Sequence, residues 1–68
     1  MADIIDARGL RCPWPVLRLA KALREGDGAV TIVADDPIAP AEIAIFARER
    51  GLAVIATETP IGSGFVVG

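Results

Sequence analysis

The sequence predicts a two-layer α/β sandwich, in which two helices cover one face of a four-stranded mixed sheet. The first observation is that apolar residues make up 53% of 68 residues, which suits a single domain spanning 1–68. The second is that two stretches repeat apolar residues at helical spacing. The third is that four short stretches are apolar and rich in β-branched residues. In chain order these stretches predict β-α-β-α-β-β.

The first half of the chain supplies a strand, a helix and a buried strand. Residues 4–5 lie between aspartates and predict a short strand that ends at the turn 7–9. Residues 16–25 place apolar side chains at i, i+3, i+4 and i+7, which predicts an amphipathic helix. The glycine-containing turn 26–28 ends that helix. The nearly continuous apolar run 29–34 is typical of a central strand.

The second half supplies a helix and two strands. Residues 35–40 are rich in aspartate and proline, and Pro40 suits the first turn of a helix that ends at Gly51. The remaining residues divide into a strand, a polar loop and a short last strand, at 52–56, 57–64 and 65–67. We expect the helix-linked strands to be parallel and the last two to form a hairpin.

Charge and composition exclude several classes of function. The net charge is −2, with seven basic and nine acidic residues, so the basic face needed for direct nucleic-acid binding is not expected. No apolar run approaches the ~20 residues that cross a bilayer. The N-terminus lacks the features of a signal peptide, which predicts a cytoplasmic protein with no membrane partner. A single cysteine fits that compartment, because it cannot form an intramolecular disulfide.

Cys12 is the only cysteine, and it lies where the first helix begins. In one placement Cys12 caps the helix, Pro13 is the first helical residue, and the N–H groups of Trp14 and Val16 lie near the sulfur. In the other the helix starts at Pro15 and Cys12 lies in the preceding turn. Both place the thiol at the positive end of the helix dipole, which favours the nucleophilic thiolate.

The chain contains no histidine, which limits the chemistry of this thiol. A Cys–His pair is excluded. One thiol without histidine also supplies too few of the usual ligands for a metal. We therefore expect a nucleophilic cysteine that binds neither a metal nor a cofactor.

The residues around Cys12 have several candidate roles. Arg8 and Arg11 either raise the thiolate fraction or contact a partner, and the alternative for each is a solvated loop charge. Asp6 is expected to brace the loop by accepting backbone N–H bonds. Trp14 is either a residue at the edge of the core or an exposed docking anchor.

Two further groups of charged residues have predicted roles. Arg18, Lys21 and Arg24 form the solvated face of the first helix, with docking of a partner that has an acidic rim as a second role. Asp35 and Asp36 precede prolines, which predicts a turn and a helix start rather than a pair of catalytic carboxylates.

The segment DARGLRCPWP, residues 6–15, resembles the signature of the TusA/SirA family of sulfur-carrier proteins, whose core is Cys-Pro-x-Pro. The segment ADDP at 34–37, followed by Glu42, Ile43 and Phe46, resembles that family's Asp-Asp-Pro stretch and second helix. The resemblance covers nearly the whole chain. It implies the same β-α-β-α-β-β sandwich.

The resemblance also implies a function. Cys12 would receive a sulfane sulfur as a persulfide from a donor enzyme, a cysteine desulfurase or a rhodanese-like protein, and pass it to an acceptor protein. This is a relay rather than a stand-alone turnover enzyme. The residues implied to support the cysteine are Arg8, Gly9, Arg11, Pro13 and Pro15, and those implied in docking are Trp14, Arg18 and Lys21.

Three positions depart from the family pattern and leave the pathway open. Ala47 and Leu52 replace a cysteine and a histidine that are frequent in the family, and Trp14 replaces a residue that is often acidic or polar. The implied pathways are 2-thiouridine formation in transfer RNA, molybdenum-cofactor assembly and sulfur oxidation. The alternative function is a non-catalytic interaction or regulatory module in which Cys12 is structural. We expect a monomer.

Overall fold

The computed structural model describes residues 4–26 and 28–68; Asp3, beside the first predicted strand, and Asp27, in the predicted turn 26–28, lie outside them. Six elements follow one another as β1 (Ile4–Ala7), α1 (Trp14–Glu25), β2 (Val30–Ala34), α2 (Ala39–Glu49), β3 (Val54–Thr59) and β4 (Gly62–Val67). The predicted order and fold class are confirmed. Among the described residues, no helix is long and apolar enough to cross a bilayer.

The sheet has the strand order β1-β2-β4-β3. β1 and β2 are parallel, with Ala7 opposite Ala34. β4 is antiparallel to both β2 and β3, which confirms the predicted hairpin and places β4 between the two strands that α2 connects. Because β1 and β2 are parallel neighbours, the loops that follow them meet at one edge of the sheet.

Both helices bury one side against the sheet. Leu19 of α1 and Ile43 of α2 are fully buried, together with Ile32 of β2 and Val67 of β4. Burying an aliphatic side chain of this size stabilises a fold by about 1.5–3 kcal/mol relative to leaving it exposed. This core fixes the positions of the helix N-termini relative to the carboxyl ends of β1 and β2.

The prediction of a loop at residues 57–64 is wrong. β3 continues to Thr59 and β4 begins at Gly62, so the connection is a short turn. The Thr59 hydroxyl donates to the Gly62 carbonyl at 2.6 Å and accepts the Ile61 N–H at 3.2 Å, which closes that turn. Gly64 was interpreted as a loop glycine, but it is buried within β4 against the carbonyl of Ile32. Its small size serves close strand packing rather than chain reversal.

The helix boundaries differ slightly from the prediction. α1 begins at Trp14, between the two predicted placements, with Pro13 at the N-cap and Pro15 in the first turn. α2 ends at Glu49, and Gly51 follows with a φ of +68°, a left-handed conformation that glycine adopts freely.

Candidate functional site

Cys12 lies in the loop 8–13 that connects β1 to α1, and it is partly exposed. The loop 35–38, which connects β2 to α2, lies beside it because β1 and β2 are parallel neighbours. Together the two loops line an open cleft whose lining includes Leu10, Cys12, Asp36 and Ile38. Crevices outside the carboxyl ends of strands are the usual position of sites in α/β sheets.

Two aspartates of the second loop hold the cysteine loop in place. Asp35 Oδ1 accepts the N–H of Gly9 at 2.9 Å, and Asp36 Oδ2 accepts the N–H of Cys12 at 2.6 Å. Asp36 Oδ1 also accepts the N–H of Ile38 at 3.0 Å, just before α2. The predicted turn and helix-start role of Asp36 is therefore confirmed, but it is only half of what the residue does. The backbone of Cys12 is fixed by a carboxylate 24 positions away.

Asp6 and Arg8 form a second brace at the start of the loop. The Arg8 guanidinium donates to both oxygens of Asp6 at 2.8 Å and to the Ile61 carbonyl at 3.3 Å. The Arg8 N–H donates to Asp6 Oδ1 at 3.2 Å, so the predicted bracing role of Asp6 is confirmed. These bonds lower the pKa of Asp6 to about 2. They direct Arg8 toward the β3–β4 turn, which does not support a role for Arg8 in stabilising a Cys12 thiolate.

The electrostatic environment of Cys12 is the opposite of the one predicted. Burial raises the pKa of the thiol, and the carboxylates of Glu42 and Asp36 raise it further. The Trp14 N–H, which was expected near the sulfur, instead donates to the carbonyl of Arg11 at 2.8 Å. The helix start is present, but the tertiary fold also brings two negative charges close to the thiol.

The carboxylate of Asp36 remains ionised in this setting. The N–H groups of Ile38 and Cys12 lower its pKa, and the positive charge of Arg11 contributes in the same direction. Arg11 is exposed and lines the cleft. Arg11 therefore stabilises the charged form of Asp36.

Exposed apolar side chains lie on α1, the helix that follows the cysteine loop. Trp14 is 60% exposed and Leu17 is 49% exposed, so Trp14 does not belong to the core. With Arg18 and Lys21, which are also exposed, these residues line a shallow groove along α1. The interpretation of Trp14 as an exposed residue available for docking is the one that the structure supports.

The other predicted positions are distributed around this site. Gly9 adopts a φ of +80° in the cysteine loop, where a left-handed residue is required. Pro13 is exposed, whereas Pro15 is fully buried beneath the loop. Ala47 is buried in the core and Leu52 packs against it, so neither lies in the cleft. Within residues 4–26 and 28–68, no group of three or more His, Cys, Asp or Glu side chains is placed to hold a metal ion.

Residues 3–67 match the family of the sulfurtransferase TusA. The chain belongs to the TusA family. Two proteins of Neisseria meningitidis, from serogroups A and B, are each 40% identical over 53 residues, which cover 74% of this chain and 70% of theirs. Both carry names that describe them provisionally as sulfur carrier proteins.

A solved structure is also similar to this TusA-family chain. The crystal structure of a SirA-like protein from Desulfitobacterium hafniense superposes with a TM-score of 0.76 at 36% identity. The match covers 94% of this chain and 90% of that one. The resemblance noted from the Cys-Pro-x-Pro segment is therefore confirmed at the level of family and fold.

Proposed function

We propose that this TusA-family protein is a sulfur carrier, in which Cys12 accepts a sulfane sulfur as a persulfide and relays it to an acceptor protein. The observation that carries the proposal is the position of the only cysteine. It is partly exposed in an open cleft, and its backbone is held by Asp36. The family assignment and the names of the Neisseria relatives support sulfur transfer as the chemistry.

The reaction is an exchange between sulfur atoms. Cys12 loses its proton to solvent, and the thiolate attacks the terminal sulfur of a donor persulfide, R–S–SH. The donor S–S bond breaks, the donor thiolate leaves and takes up a proton, and Cys12–S–SH is formed. An acceptor thiolate then attacks the outer sulfur and releases Cys12. The transferred sulfur keeps its oxidation state, so neither step requires an added oxidant or a resident cofactor.

Other side chains near Cys12 position the cysteine loop or contact the partner proteins. Asp36 and Asp35 hold the loop so that the thiol is presented in one position. Trp14, Arg18 and Lys21 supply an exposed apolar and basic surface on α1, the helix that follows Cys12, of a kind suited to transient docking. The partners are a donor enzyme, such as a cysteine desulfurase or a rhodanese-like protein, and an acceptor protein in thiouridine, molybdenum-cofactor or sulfur-oxidation chemistry. The carrier acts as a monomer without direct nucleic-acid contact.

The test is intact-mass spectrometry after incubation with a cysteine desulfurase and cysteine. We expect a species heavier by one sulfur atom, which a reductant removes and which is absent from Cys12→Ser. Circular dichroism should show that Cys12→Ser keeps the fold. If several desulfurases and rhodanese-like donors load no sulfur onto the folded wild-type protein, the carrier function is refuted.

One observation favours a second function, an interaction or regulatory module with a structural cysteine. Burial and two carboxylates disfavour the thiolate of Cys12, as they would for an inert thiol. Such a module would bind its partner equally well as the wild type and as Cys12→Ser. Equal binding together with a lack of sulfur loading would establish the module in place of the carrier.

A further inference from the structure

The charges around Cys12 are separated into two sides. On the side of α2, Asp36 lies against the backbone of Cys12, and Glu42 extends from the first helical turn. On the side of α1, the charged residues described at the groove are Arg18, Lys21 and Glu25, which carry a net positive charge. Among the described residues, the acidic groups that act on the thiol, Asp36 and Glu42, therefore lie on the side of α2.

We propose that Cys12 is reached preferentially by sulfur donors that bring a positively charged group to the Asp36–Glu42 side of the cleft, and that this group promotes the attack by Cys12. The inference rests on the proposed function and deepens it, because it names the chemistry of the donor surface. A donor protein would present a lysine or arginine next to its persulfide. Its acidic residues would face Arg18 and Lys21.

The physical argument is one of charge neutralisation. A thiolate at Cys12 is repelled by Asp36 and Glu42, whereas the charge of Arg11 acts on the carboxylate of Asp36. Asp35 also lines the cleft, where its carboxylate is engaged by the N–H of Gly9. A cation placed in the cleft pairs with these carboxylates and removes much of the repulsion. Docking also excludes water, which strengthens charge interactions at short range.

Glu42 and Asp36 contribute in different ways, which allows the charge effect to be separated from the structural effect. Asp36 accepts the N–H groups of Cys12 and Ile38, so a change there alters both the charge and the loop. Glu42 acts on the thiol through its charge, and among the described residues it makes no hydrogen bond to the cysteine loop. Glu42→Gln therefore removes one negative charge near the thiol while it leaves the loop anchored.

The experiment measures the rate at which Cys12 reacts with two methanethiosulfonates of similar size, one bearing trimethylammonium and one bearing sulfonate. Each forms a disulfide at Cys12 and releases a sulfinate, so Cys12 attacks an electrophilic sulfur as it would in a persulfide. The rate with the cationic reagent is divided by the rate with the anionic reagent. This ratio is then normalised by the same ratio for a neutral cysteine derivative, which corrects for the intrinsic reactivity of the two reagents. Glu49→Gln is the matched control, because it removes the same charge two turns further along α2.

We expect a normalised ratio above one for the wild-type protein, which should fall toward one in 1 M salt. Glu42→Gln and Asp36→Asn should each lower it, and Glu49→Gln should leave it unchanged. A wild-type ratio at or below one would overturn the inference, as would an unchanged ratio in Glu42→Gln. The measurement of these rates needs no sulfur donor. The predicted preference for the cationic reagent can therefore be observed even if sulfur loading fails, and it can be absent even if loading succeeds. The two proposals are thereby tested independently.

Discussion

Substitution of Gly64 by alanine tests the most specific packing feature of the sheet. Gly64 lies in β4, the strand that is hydrogen-bonded on both sides, and is paired with Thr57 of β3. A Cβ added at Gly64 would lie 2.5 Å from the carbonyl oxygen of Ile32 and 2.9 Å from Cγ2 of Val33. The first contact is with backbone, so no change of side-chain rotamer relieves it. One of the two central strands has to move.

The size of the effect follows from these two contacts. Overpacking a well-packed interior costs about 1–3 kcal/mol, and a clash with backbone belongs at the upper end of that range. The reduced entropy of the unfolded chain offsets about 0.4–1 kcal/mol when glycine becomes alanine. We therefore expect Gly64→Ala to lower the free energy of unfolding by about 2–2.6 kcal/mol. For a domain of this size, that corresponds to a decrease in Tm of roughly 10–20 °C.

Urea denaturation followed by far-ultraviolet circular dichroism measures this change directly. Gly28→Ala is the matched control, because Gly28 is exposed and has no heavy atom within 4 Å of an added Cβ. It should leave the free energy of unfolding unchanged or raise it by up to about 1 kcal/mol, because only the entropy of the unfolded chain changes. If Gly64→Ala were as mild as Gly28→Ala, residues 57–64 would behave as the loop predicted from sequence, and the described β4 would be wrong.

Four further outcomes can be measured on the isolated protein. Leu19→Ala should lower the free energy of unfolding by about 2–5 kcal/mol in urea, because the side chain is fully buried; a loss under 1 kcal/mol would contradict its place in the core. The Asp6–Arg8 pair should stabilise the fold fully above pH 3.8, the ordinary pKa of aspartate, and lose that effect as the pH falls toward 2, so the wild-type Tm should drop more steeply there than that of Asp6→Asn. Parallel curves would show that the pair adds nothing. Alkylation of Cys12 by iodoacetamide should have its midpoint at higher pH than that of free cysteine, and a midpoint at lower pH would contradict the arrangement of carboxylates around it. Acrylamide should quench the fluorescence of Trp14 strongly, whereas weak quenching would place the ring in a contact that the structure does not contain.

The fold could be predicted from the sequence wherever a local pattern is strong. The apolar stripe of α1 and the β-branched run of β2 each determine their own element within a residue or two, apart from the start of α1. The hairpin was predicted, but its strands are longer than expected, because the polar and glycine residues at 57–64 resemble a loop. In the structure Gly64 permits close contact with β2, which is a tertiary requirement and leaves no local signal.

The sequence indicates the cysteine of the site but not the residues that the fold brings next to it. Cys12, with its prolines, is conspicuous in the sequence because the motif is contiguous. The hydrogen bond from the Cys12 N–H to Asp36 could not be predicted in this way. The two residues are 24 positions apart and meet only because β1 and β2 are parallel neighbours. The sequence pattern identifies Glu42 only as part of the segment that resembles the second helix of the family. Two carboxylates immediately after a strand that is expected to lie beside β1 would have been the signal to follow.

On the proposed function, these carboxylates have a consequence that differs between the empty and the loaded carrier. Oxidants attack the thiolate form of a cysteine. The raised pKa of the Cys12 thiol therefore protects the empty carrier from oxidation while no donor is bound. Once sulfur is bound, the negative charge resides mainly on the outer sulfur, one S–S bond of about 2 Å further from Cys12. Hydropersulfides are also more acidic than thiols. Asp36 and Glu42 therefore suppress the reactivity of the empty carrier more than that of the loaded one. Sulfur uptake then depends on a docked donor, whereas release requires only an acceptor that can reach the outer sulfur.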